Sequence, residues 1–309
     1  MKPILLSTNR ADYRMANALR RAGLCELELP VSVVVALGDR HEMLHACVDA
    51  IQQGERLVHV AGGETMRGSE FPDHKFRNAI SQLAELHCVS ERTAALNLQD
   101  IGVSLKNIVI TGLPSLDELV RDNADFIRKE LSRLVPPTTR NDRVFIAYHP
   151  YPHKRKETNA RDALAMLDGV AATGRPVLIS APNDDNHGLY LRDLFMQYAR
   201  RPGWKLLPDG YNADFIIEIY KTFAVAVGNS SALRIEASLF GLPVVEVGDR
   251  QTGRVLPDNV RPLISYTKEL VAEAVEAQAA RRFFGGSPWA NPRGQASEEI
   301  VAAIAKRFG

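Results

Sequence analysis

The chain has 309 residues, of which 45% are hydrophobic, and it carries 38 basic and 37 acidic residues. This length is sufficient for two α/β domains with separate cores, and the balanced charge does not indicate nucleic acid or an anionic membrane surface as a partner. No apolar stretch reaches the roughly 18 residues that a membrane-spanning helix needs, and the three cysteines lack CxxC spacing. We therefore expect a cytoplasmic protein whose cysteines are small core residues.

Short apolar runs alternate with amphipathic stretches in the first half of the chain. The predicted strands are residues 3–6, 31–37, 57–60, 87–89 and 108–110, and helical patterns occupy residues 42–51, 76–84 and 91–99. This alternation is typical of βαβ units in a doubly wound parallel sheet.

A segment rich in proline, threonine and charge, residues 133–143, interrupts this pattern and is the best linker candidate. A second series of predicted strands follows it, at residues 144–147, 177–180, 205–207, 225–227 and 244–247. We predict two Rossmann-like domains, residues 1–138 and residues 139–309, that face each other across a cleft. The pattern leaves open which domain the closing helix, residues 297–308, packs against.

Polar clusters follow the predicted strands at their C-terminal ends. In the first half they are TNRADY, GDRHEML and HVAGGETMRGSEFPDHKFRNAI, and in the second half AYHPYPHKR, SAPNDDNH and GNSSALRIEASLFGLP. Each cluster alone is compatible with ordinary loop polarity, but parallel α/β sheets bind their ligands at this edge. The shared location predicts ligand contacts in both halves.

Asn229, Ser230 and Ser231 follow a predicted strand and open a short helix. Backbone N–H groups and the helix dipole attract phosphate at such an N-terminus, although a serine there can also be a simple N-cap. Glu236 lies one and a half turns into this apolar helix, where a carboxylate needs a polar partner such as the hydroxyl pair of a ribose. The combination favours a nucleotide over a plain helix cap.

Three further side chains are candidates for chemistry. Asp39 directly follows a strand and is either a helix cap or a functional acid. Glu64 follows two glycines, which allow the backbone to approach a ligand closely. His149 is held extended by Pro150 and is a candidate for phosphate contact or acid–base chemistry.

Seven motifs carry a resemblance to a known family: GDRHEML, HVAGGE, FRNAISQLAELHCVSE, ITGLPSLDEL, AYHP, APNDDNH and GNSSALRIEASLFGLPVVEVGDRQTGRVLPDNV. Together they resemble the UDP-N-acetylglucosamine 2-epimerase family, closest to its hydrolysing branch from sialic-acid-type sugar biosynthesis. The likeness runs from about residue 36 to about residue 260 and is most specific in its last segment. It implies an α/β fold of the GT-B type in which the C-terminal domain holds most of the nucleotide.

The resemblance implies a nucleotide-diphosphate clamp. Ser230 and Ser231 would hold the diphosphate, and Glu236 would take the ribose hydroxyls. The other implied nucleotide-sugar contacts are Arg10 and Arg40 on the N-terminal side, His149, Arg250 and Arg254 at the phosphates, and Asn183 at the uracil. No metal or cofactor is implied, because arginines and a helix N-terminus can neutralise a diphosphate.

The family's chemistry is anti elimination of UDP across C1 and C2, followed by attack of water at C1 with inversion at C2. It needs a base and an acid that face the sugar. Asp39 and Asp73 match acidic positions of the family. The third position of HVAGGE is Ala61, where many members carry a glutamate, so Glu64 is an alternative acid–base group, and His149 remains a further candidate.

The N-terminal half departs from the family in length. The interval between Arg10 and Gly38 has room for one helix and one strand, whereas the family has several further βα elements there. We therefore expect a smaller N-terminal sheet and a more open sugar side.

Three functions remain open at this point. The first is a hydrolysing UDP-N-acetylglucosamine 2-epimerase or a close variant. The second is a GT-B glycosyltransferase with a UDP-sugar donor, in which Asp39, Glu64 or Asp73 serves as base. The third is a nucleotide-sugar-binding protein without turnover. We expect a UDP-sugar as the partner and leave a homodimer open.

Overall fold

The computed structural model describes residues 1–7, 10–64, 72–119, 131, 133–134, 142–182, 187–207, 213–281, 287–289, 292 and 294–309. Backbone contacts divide the chain into two compact units. The N-terminal unit comprises Met1–Arg121, Gly253–Val255 and Pro288–Gly309, and the C-terminal unit comprises Asp122–Thr252 and Leu256–Ser287. The predicted boundary between residues 138 and 139 lies outside the described residues, so the division into domains 1–138 and 139–309 stays a prediction.

The N-terminal unit contains a five-stranded parallel sheet with the order β1-β2-β3-β4-β5. Its strands are β1 (Ile4–Leu6), β2 (Val33–Leu37), β3 (Arg56–Val60), β4 (Leu86–Val89) and β5 (Ile108–Ile110). Its first helices are α1 (Arg10–Arg21), α2 (His41–Gln52), α3 (Pro72–Leu83), α4 (Arg92–Asp100) and the short α5 (Pro114–Asp117). Strands and helices alternate, as the βαβ pattern predicts.

The C-terminal unit contains a six-stranded parallel sheet with the order β11-β10-β9-β6-β7-β8. Its strands are β6 (Val144–Ala147), β7 (Val177–Ile179), β8 (Trp204–Leu206), β9 (Val225–Gly228), β10 (Val244–Val247) and β11 (Val260–Leu263). Its helices are α6 (Lys156–Ala172), α7 (Gly188–Tyr198), α8 (Ala213–Thr222), α9 (Ser231–Leu239) and α10 (Lys268–Ala279), and α11 (Ala296–Phe308) closes the chain. In the described part of both units, every helix is too short or too polar to cross a bilayer.

Helices cover both faces of the N-terminal sheet, because alternate side chains of a strand point to opposite sides. Val35 of β2 packs with Leu19 of α1 in one core cluster. Its neighbour Ala36 packs with Met43 of α2 and Ile80 of α3 in a second cluster. Helix α1 therefore lies on one face of the sheet, and helices α2 and α3 lie on the other.

The crossover from β1 to β2 has the opposite hand to the crossovers that follow it. All of these connections step in the same direction across the sheet, but α1 lies on one face and both α2 and α3 lie on the other. Because parallel crossovers are right-handed in about 98% of cases, the β1-α1-β2 connection is the exception. Strand β1 lies at one edge of this sheet, and the described strands follow one another across the sheet in chain order.

The closing helix α11 packs on the N-terminal unit. Ile300 belongs to the same core cluster as Leu19. Asp117 of α5 accepts hydrogen bonds from the backbone N–H groups of Ala296 and Ser297, at 3.2 and 2.7 Å. Since the first N–H groups of a helix lack partners within the helix, Asp117 serves as its cap. The last residues of the chain thus complete the N-terminal unit.

Among the described strands, β11 is the one that the sequence pattern does not predict. Its sequence VRPL lacks an apolar run, because Arg261 and Pro262 interrupt it. Among the strands that the structure describes, it lies at the edge of the C-terminal sheet and pairs with β10 alone. A proline, which has no N–H, is tolerated at such an edge. This segment therefore forms a strand because of its position beside β10 and not because of its local sequence pattern.

Candidate functional site

The C-terminal sheet reverses its strand order between β6 and β9. From β6 the chain proceeds to β7 and β8 on one side, and from β9 it proceeds to β10 and β11 on the other. Loops that leave such neighbouring strands diverge, and open α/β sheets bind ligands in the crevice that results. The segments after β6 and β9 contain His149 and the run from Asn229 to Ser231, which are predicted site elements.

The two segments at this switch point are locked together. A Cβ at Gly228 would collide with the carbonyl group of Ala147 on the neighbouring strand, so only glycine fits there. Asn229 is fully buried. Its side-chain oxygen accepts from the His149 backbone N–H at 2.8 Å, and its amide donates to the His149 carbonyl at 2.9 Å. Asn229 therefore holds the loop after β6 against the loop after β9.

Ser230 and Ser231 begin helix α9. Ser230 occupies the N-cap position with extended backbone angles, but its side chain makes no capping hydrogen bond. The interpretation of Ser230 as an ordinary cap is therefore not supported. Ser231 is half-buried and is the first helical residue. A helix N-terminus that carries a pair of hydroxyls at a strand-order reversal is suited to an anion.

Glu236 has a polar partner in the protein itself. Tyr220 of α8 donates a hydrogen bond from its hydroxyl to Glu236 Oε2 at 3.2 Å. The Tyr220 ring is buried and packs against Phe145 and Phe240. The phenol orients a half-buried carboxylate on the helix that begins with Ser231. The sequence pattern points to a partner for Glu236 but does not identify Tyr220.

His149 is a neutral imidazole at physiological pH. Burial, together with a smaller effect of the Arg250 charge, lowers its pKa to about 3. A neutral ring can contact a phosphate as a hydrogen-bond donor but not as a cation. The Arg250 guanidinium supplies positive charge close to this ring.

The turn after β10 adjoins the same loops. The buried Tyr151 accepts hydrogen bonds from the backbone N–H groups of Asp249 and Arg250, at 3.0 and 3.1 Å. The side-chain amide of Gln251 donates to the Asn229 carbonyl at 2.8 Å. The turn that carries Arg250 is thus joined to the loop after β6 and to the loop after β9.

Asp39 follows β2 in the N-terminal unit and pairs with a buried arginine. The N-cap of α2 is Arg40, whose side chain makes no capping hydrogen bond. The carboxylate of Asp39 accepts from the guanidinium of Arg77, which also donates to the Glu64 carbonyl at 2.6 Å. Arg77 therefore joins the ends of β2 and β3. Sequence reasoning missed it, although it lies in the quoted run FRNAI.

A buried histidine fixes the turn before Asp39. His59 Nε2 lies 3.1 Å from the Gly38 carbonyl oxygen, and Nδ1 lies 2.9 Å from Ser81 Oγ. Because a carbonyl only accepts, Nε2 carries the proton and the Ser81 hydroxyl donates to Nδ1. Burial lowers the pKa of His59 to about 3, so the ring is neutral. A Cβ at Gly62 would lie 2.8 Å from His59 Nδ1, which accounts for one glycine of HVAGGE.

Glu64 lies beside Arg254, with 3.8 Å between Glu64 Oε2 and Arg254 Nη2. Both side chains are largely buried, and with Glu91 they line a small pocket of the N-terminal unit. The family resemblance groups Arg254 with the phosphate contacts of the C-terminal half, whereas Gly253–Val255 belongs to the N-terminal unit. A phosphate contact of Arg254 stays a prediction.

Four predicted residues remain, and the structure describes the side chains of two of them. Asp73 is half-buried in the first turn of α3, and Arg40 is exposed at the start of α2. Arg10 begins α1, but its side chain lies outside the described residues. Asn183 lies wholly outside them. The predicted roles of all four stay predictions.

The two units offer different chemistry. The N-terminal unit presents acids, Asp39, Glu64 and Asp73, and the C-terminal unit presents a helix N-terminus with Arg250 and the neutral His149. Within the described ranges, histidine, cysteine, aspartate and glutamate form no group of three or more that could hold a metal ion. The first arrangement suits proton transfer and the second suits anion binding.

Solved structures share this architecture. The UDP-GlcNAc 2-epimerase of Methanocaldococcus jannaschii, in complex with UDP-GlcNAc and UDP, matches with a TM-score of 0.73 and 18% identity over 97% of this chain and 83% of that chain. The enzyme of Neisseria meningitidis bound to UDP-GlcNAc matches with a TM-score of 0.70 and 16% identity over 96% and 81%. Two parallel α/β sheets with alternating strands and helices place the protein in the GT-B-like class, and the predicted fold class is confirmed.

The family model for UDP-N-acetylglucosamine 2-epimerase matches residues 7–305. The chain belongs to this family, and the predicted resemblance is confirmed. It is 31% identical to UDP-N,N'-diacetylbacillosamine 2-epimerase (hydrolyzing) of Legionella pneumophila, over 76% of this chain. It is 28% identical to GDP/UDP-N,N'-diacetylbacillosamine 2-epimerase (hydrolyzing) of Campylobacter jejuni, over 75%. The chain spans 60% of the length of each of these relatives.

Proposed function

We propose that the protein is a hydrolysing 2-epimerase that converts UDP-N-acetylglucosamine, or a closely related UDP-linked 2-acetamido sugar, into UDP and the free C2-epimerised sugar. The observation that carries the proposal is the N-terminus of α9, which places Ser230 and Ser231 at the strand-order reversal of a chain from this family. Relatives named as hydrolysing epimerases support the release of free sugar. A cytoplasmic location and a homodimer stay predictions.

The nucleotide binds in the C-terminal unit. Ser230 and Ser231 hold the diphosphate at the helix N-terminus, and Arg250 neutralises part of its charge. The neutral His149 donates a hydrogen bond to a phosphate oxygen. Glu236, oriented by Tyr220, accepts from the ribose hydroxyls. The remaining proposed contacts are Arg10, Arg40, Asn183 and Arg254.

The acids of the N-terminal unit move the protons. Asp39 takes the C2 proton, the electrons of that bond form the C1–C2 double bond, and the bond from C1 to the diphosphate oxygen breaks, which yields UDP and a glycal. Water then adds at C1, while an acid returns a proton to the opposite face of C2. Glu64 and Asp73 are the candidates for that acid. Arg77 holds Asp39 in one orientation throughout.

The test is incubation of the full chain with UDP-N-acetylglucosamine in deuterated water, followed by proton and phosphorus NMR. We expect free UDP and a free sugar that carries deuterium at C2, since the C2 proton is exchanged with solvent. UDP release with protium retained at C2 would contradict elimination and indicate hydrolysis or transfer. Binding of UDP-N-acetylglucosamine without release of UDP would indicate a protein without turnover.

A further inference from the structure

The turn that carries Arg250 is built around a buried phenol. Gly248 has a φ of 81°, in the left-handed region that favours glycine, and a Cβ there would collide with the hydroxyl of Tyr151. That hydroxyl accepts from the N–H groups of Asp249 and Arg250, at 3.0 and 3.1 Å. The phenol oxygen therefore occupies the concave side of the turn.

Tyr151 is itself rigidly placed. It is 2% exposed, and its backbone is held by the fully buried Asn159, which accepts from the Tyr151 N–H at 2.7 Å and donates to its carbonyl at 3.0 Å. The ammonium group of Lys154 lies 3.6 Å from the centre of the ring. A side chain fixed at its backbone and at its ring is a firm support for a turn that binds to its hydroxyl oxygen.

The supported turn leads directly to the switch point. Gln251 donates to the carbonyl of Asn229, and Asn229 in turn binds both backbone groups of His149. Because the N–H groups of Asp249 and Arg250 are already engaged by Tyr151, they are not the donors that meet an anion. The Arg250 guanidinium remains as the cationic group of this turn.

We infer that Tyr151 is a positioning residue for the phosphate contact of Arg250: its hydroxyl fixes the backbone of the turn after β10 so that the guanidinium reaches the diphosphate. Tyr151 does not touch the nucleotide itself. This inference rests on the proposed nucleotide-sugar function, and it adds a residue to which neither the sequence motifs nor the comparisons assign a role.

The experiment measures the affinity of the full chain for UDP and for uridine by isothermal titration calorimetry. Tyr151→Phe removes one oxygen and keeps the ring, and we expect it to weaken UDP binding about 10-fold while uridine binding changes less than about twofold. Arg250→Ala should show the same pattern. The double variant should be no weaker than Arg250→Ala alone, because residues that act through one another are not additive.

Tyr198→Phe is the matched control. It removes a phenol oxygen from the same unit, one that donates to Asp168 at 2.5 Å, and we expect UDP affinity to be unchanged. If Tyr151→Phe does not fold, Gly248→Ala provides the same test, since its Cβ would displace the turn from the phenol. Its expected signature is likewise a loss for UDP and not for uridine.

The outcomes separate two kinds of failure. A wild-type chain that does not bind UDP overturns the proposed function and this inference together. A wild-type chain whose UDP affinity depends on Arg250 but is unchanged by Tyr151→Phe overturns only the positioning role. Equal losses for UDP and uridine in Tyr151→Phe, or additive losses in the double variant, also overturn it.

Discussion

The tripeptide Gly-Asp-Arg occurs after β2 and again after β10, and the two copies are held in opposite ways. Both glycines have left-handed backbone angles, with φ of 86° at Gly38 and 81° at Gly248. The first turn is bonded through its carbonyl, which lies 3.1 Å from the protonated Nε2 of His59. The second is bonded through its N–H groups, which donate to the hydroxyl of Tyr151.

The two aspartates differ as strongly as the backbones. Asp39 is largely buried against Arg77, whereas Asp249 has a side chain that is 58% exposed and lies 3.7 Å from Lys154. An acid that is held in one orientation is suited to chemistry, and an exposed one is not. The comparison teaches that one tripeptide supplies a carboxylate in the first unit and a guanidinium, that of Arg250, in the second.

The largest effect on the reaction rate is expected from substitution of the first aspartate, Asp39. Asp39→Asn should lower the rate of deuterium incorporation at C2 by about 10²- to 10⁴-fold, because removing a general base has that cost, while UDP affinity stays nearly intact. Asp249→Asn is the matched control in the second turn, and we expect its rate to stay within about threefold of wild type. NMR in deuterated water measures both. Equal losses in the two variants would remove the distinction between the turns.

The next prediction compares two buried arginine pairs, one from each unit. Arg77 pairs with Asp39 in the N-terminal unit, and Arg234 makes a two-pronged pair with Glu246 in the C-terminal unit, at 2.5 and 2.6 Å. Removing one partner of a buried ion pair costs about 3 to 5 kcal/mol in the free energy of unfolding. We expect Arg234→Met to show the larger loss, because Glu246 is less exposed than Asp39.

The two tryptophans allow each unit to be followed alone. Trp204 lies in the C-terminal unit and Trp289 in the N-terminal unit, and both are buried. In a Trp204→Phe background, the fluorescence of Trp289 during urea unfolding should report the destabilisation of the N-terminal unit by Arg77→Met. In a Trp289→Phe background, the fluorescence of Trp204 should report the destabilisation of the C-terminal unit by Arg234→Met. Only Arg77→Met should also abolish C2 exchange in the folded protein. Loss of exchange in both variants would mean that the Arg77 effect is structural alone.

A smaller effect is expected on the binding side. Ser231→Ala and Glu236→Ala should each weaken UDP binding by about 1 to 3 kcal/mol, the cost of leaving a hydrogen-bonding group without its partner. Ser238→Ala on the same helix removes a hydroxyl that donates within the helix, to the Ile235 carbonyl at 2.9 Å, and should leave UDP affinity unchanged. Calorimetry with UDP distinguishes these cases. Wild-type UDP affinity in both Ser231→Ala and Glu236→Ala would contradict the proposed nucleotide clamp.

Much of the fold could be predicted because its strands are buried apolar runs. β2 reads VVVAL and β9 reads VAVG, and the polar residues that follow them are visible as clusters. The hand of the β1-α1-β2 crossover could not be predicted, because the general rule gives a right-handed connection and no local pattern marks this exception. The position of α11 was equally undetermined, because its cap, Asp117, is distant in the sequence.

The site could be predicted only in part. Asp39, Ser231 and Glu236 follow directly from polar residues beside strands and helices, and the structure describes partners for the first and last of them. Arg77 and Tyr151 could not be found in this way. Each lies in a segment that reads as ordinary helix or loop, and each acquires its role from a partner in the loop that follows a strand distant in the sequence.

A fall in pH should destabilise the first turn, which is held by His59, and should not affect the second turn, which is held by Tyr151. Burial lowers the pKa of His59 from its ordinary value of 6.5 to about 3, whereas burial raises the pKa of Tyr151 well above its usual range. Below pH 6.5 the unfolded chain binds a proton at residue 59 that the folded chain does not, so this contribution to stability is present above pH 6.5 and is lost progressively as the pH falls towards 3. Tyr151 keeps its proton throughout and contributes no such loss.

The difference can be measured with Trp289 fluorescence in a Trp204→Phe background. Between pH 7.5 and pH 5.5, the free energy of unfolding of the N-terminal unit should fall by about 1 kcal/mol more with His59 than in His59→Gln, because one neutral histidine contributes at most about 1.4 kcal/mol per pH unit below its unfolded pKa. Glutamine retains a donor for the Gly38 carbonyl and does not titrate. Parallel pH curves for the two chains would show that His59 takes up its proton at the same pH in the folded and the unfolded chain, and the first turn would then be held by a charged ring at pH 5.5.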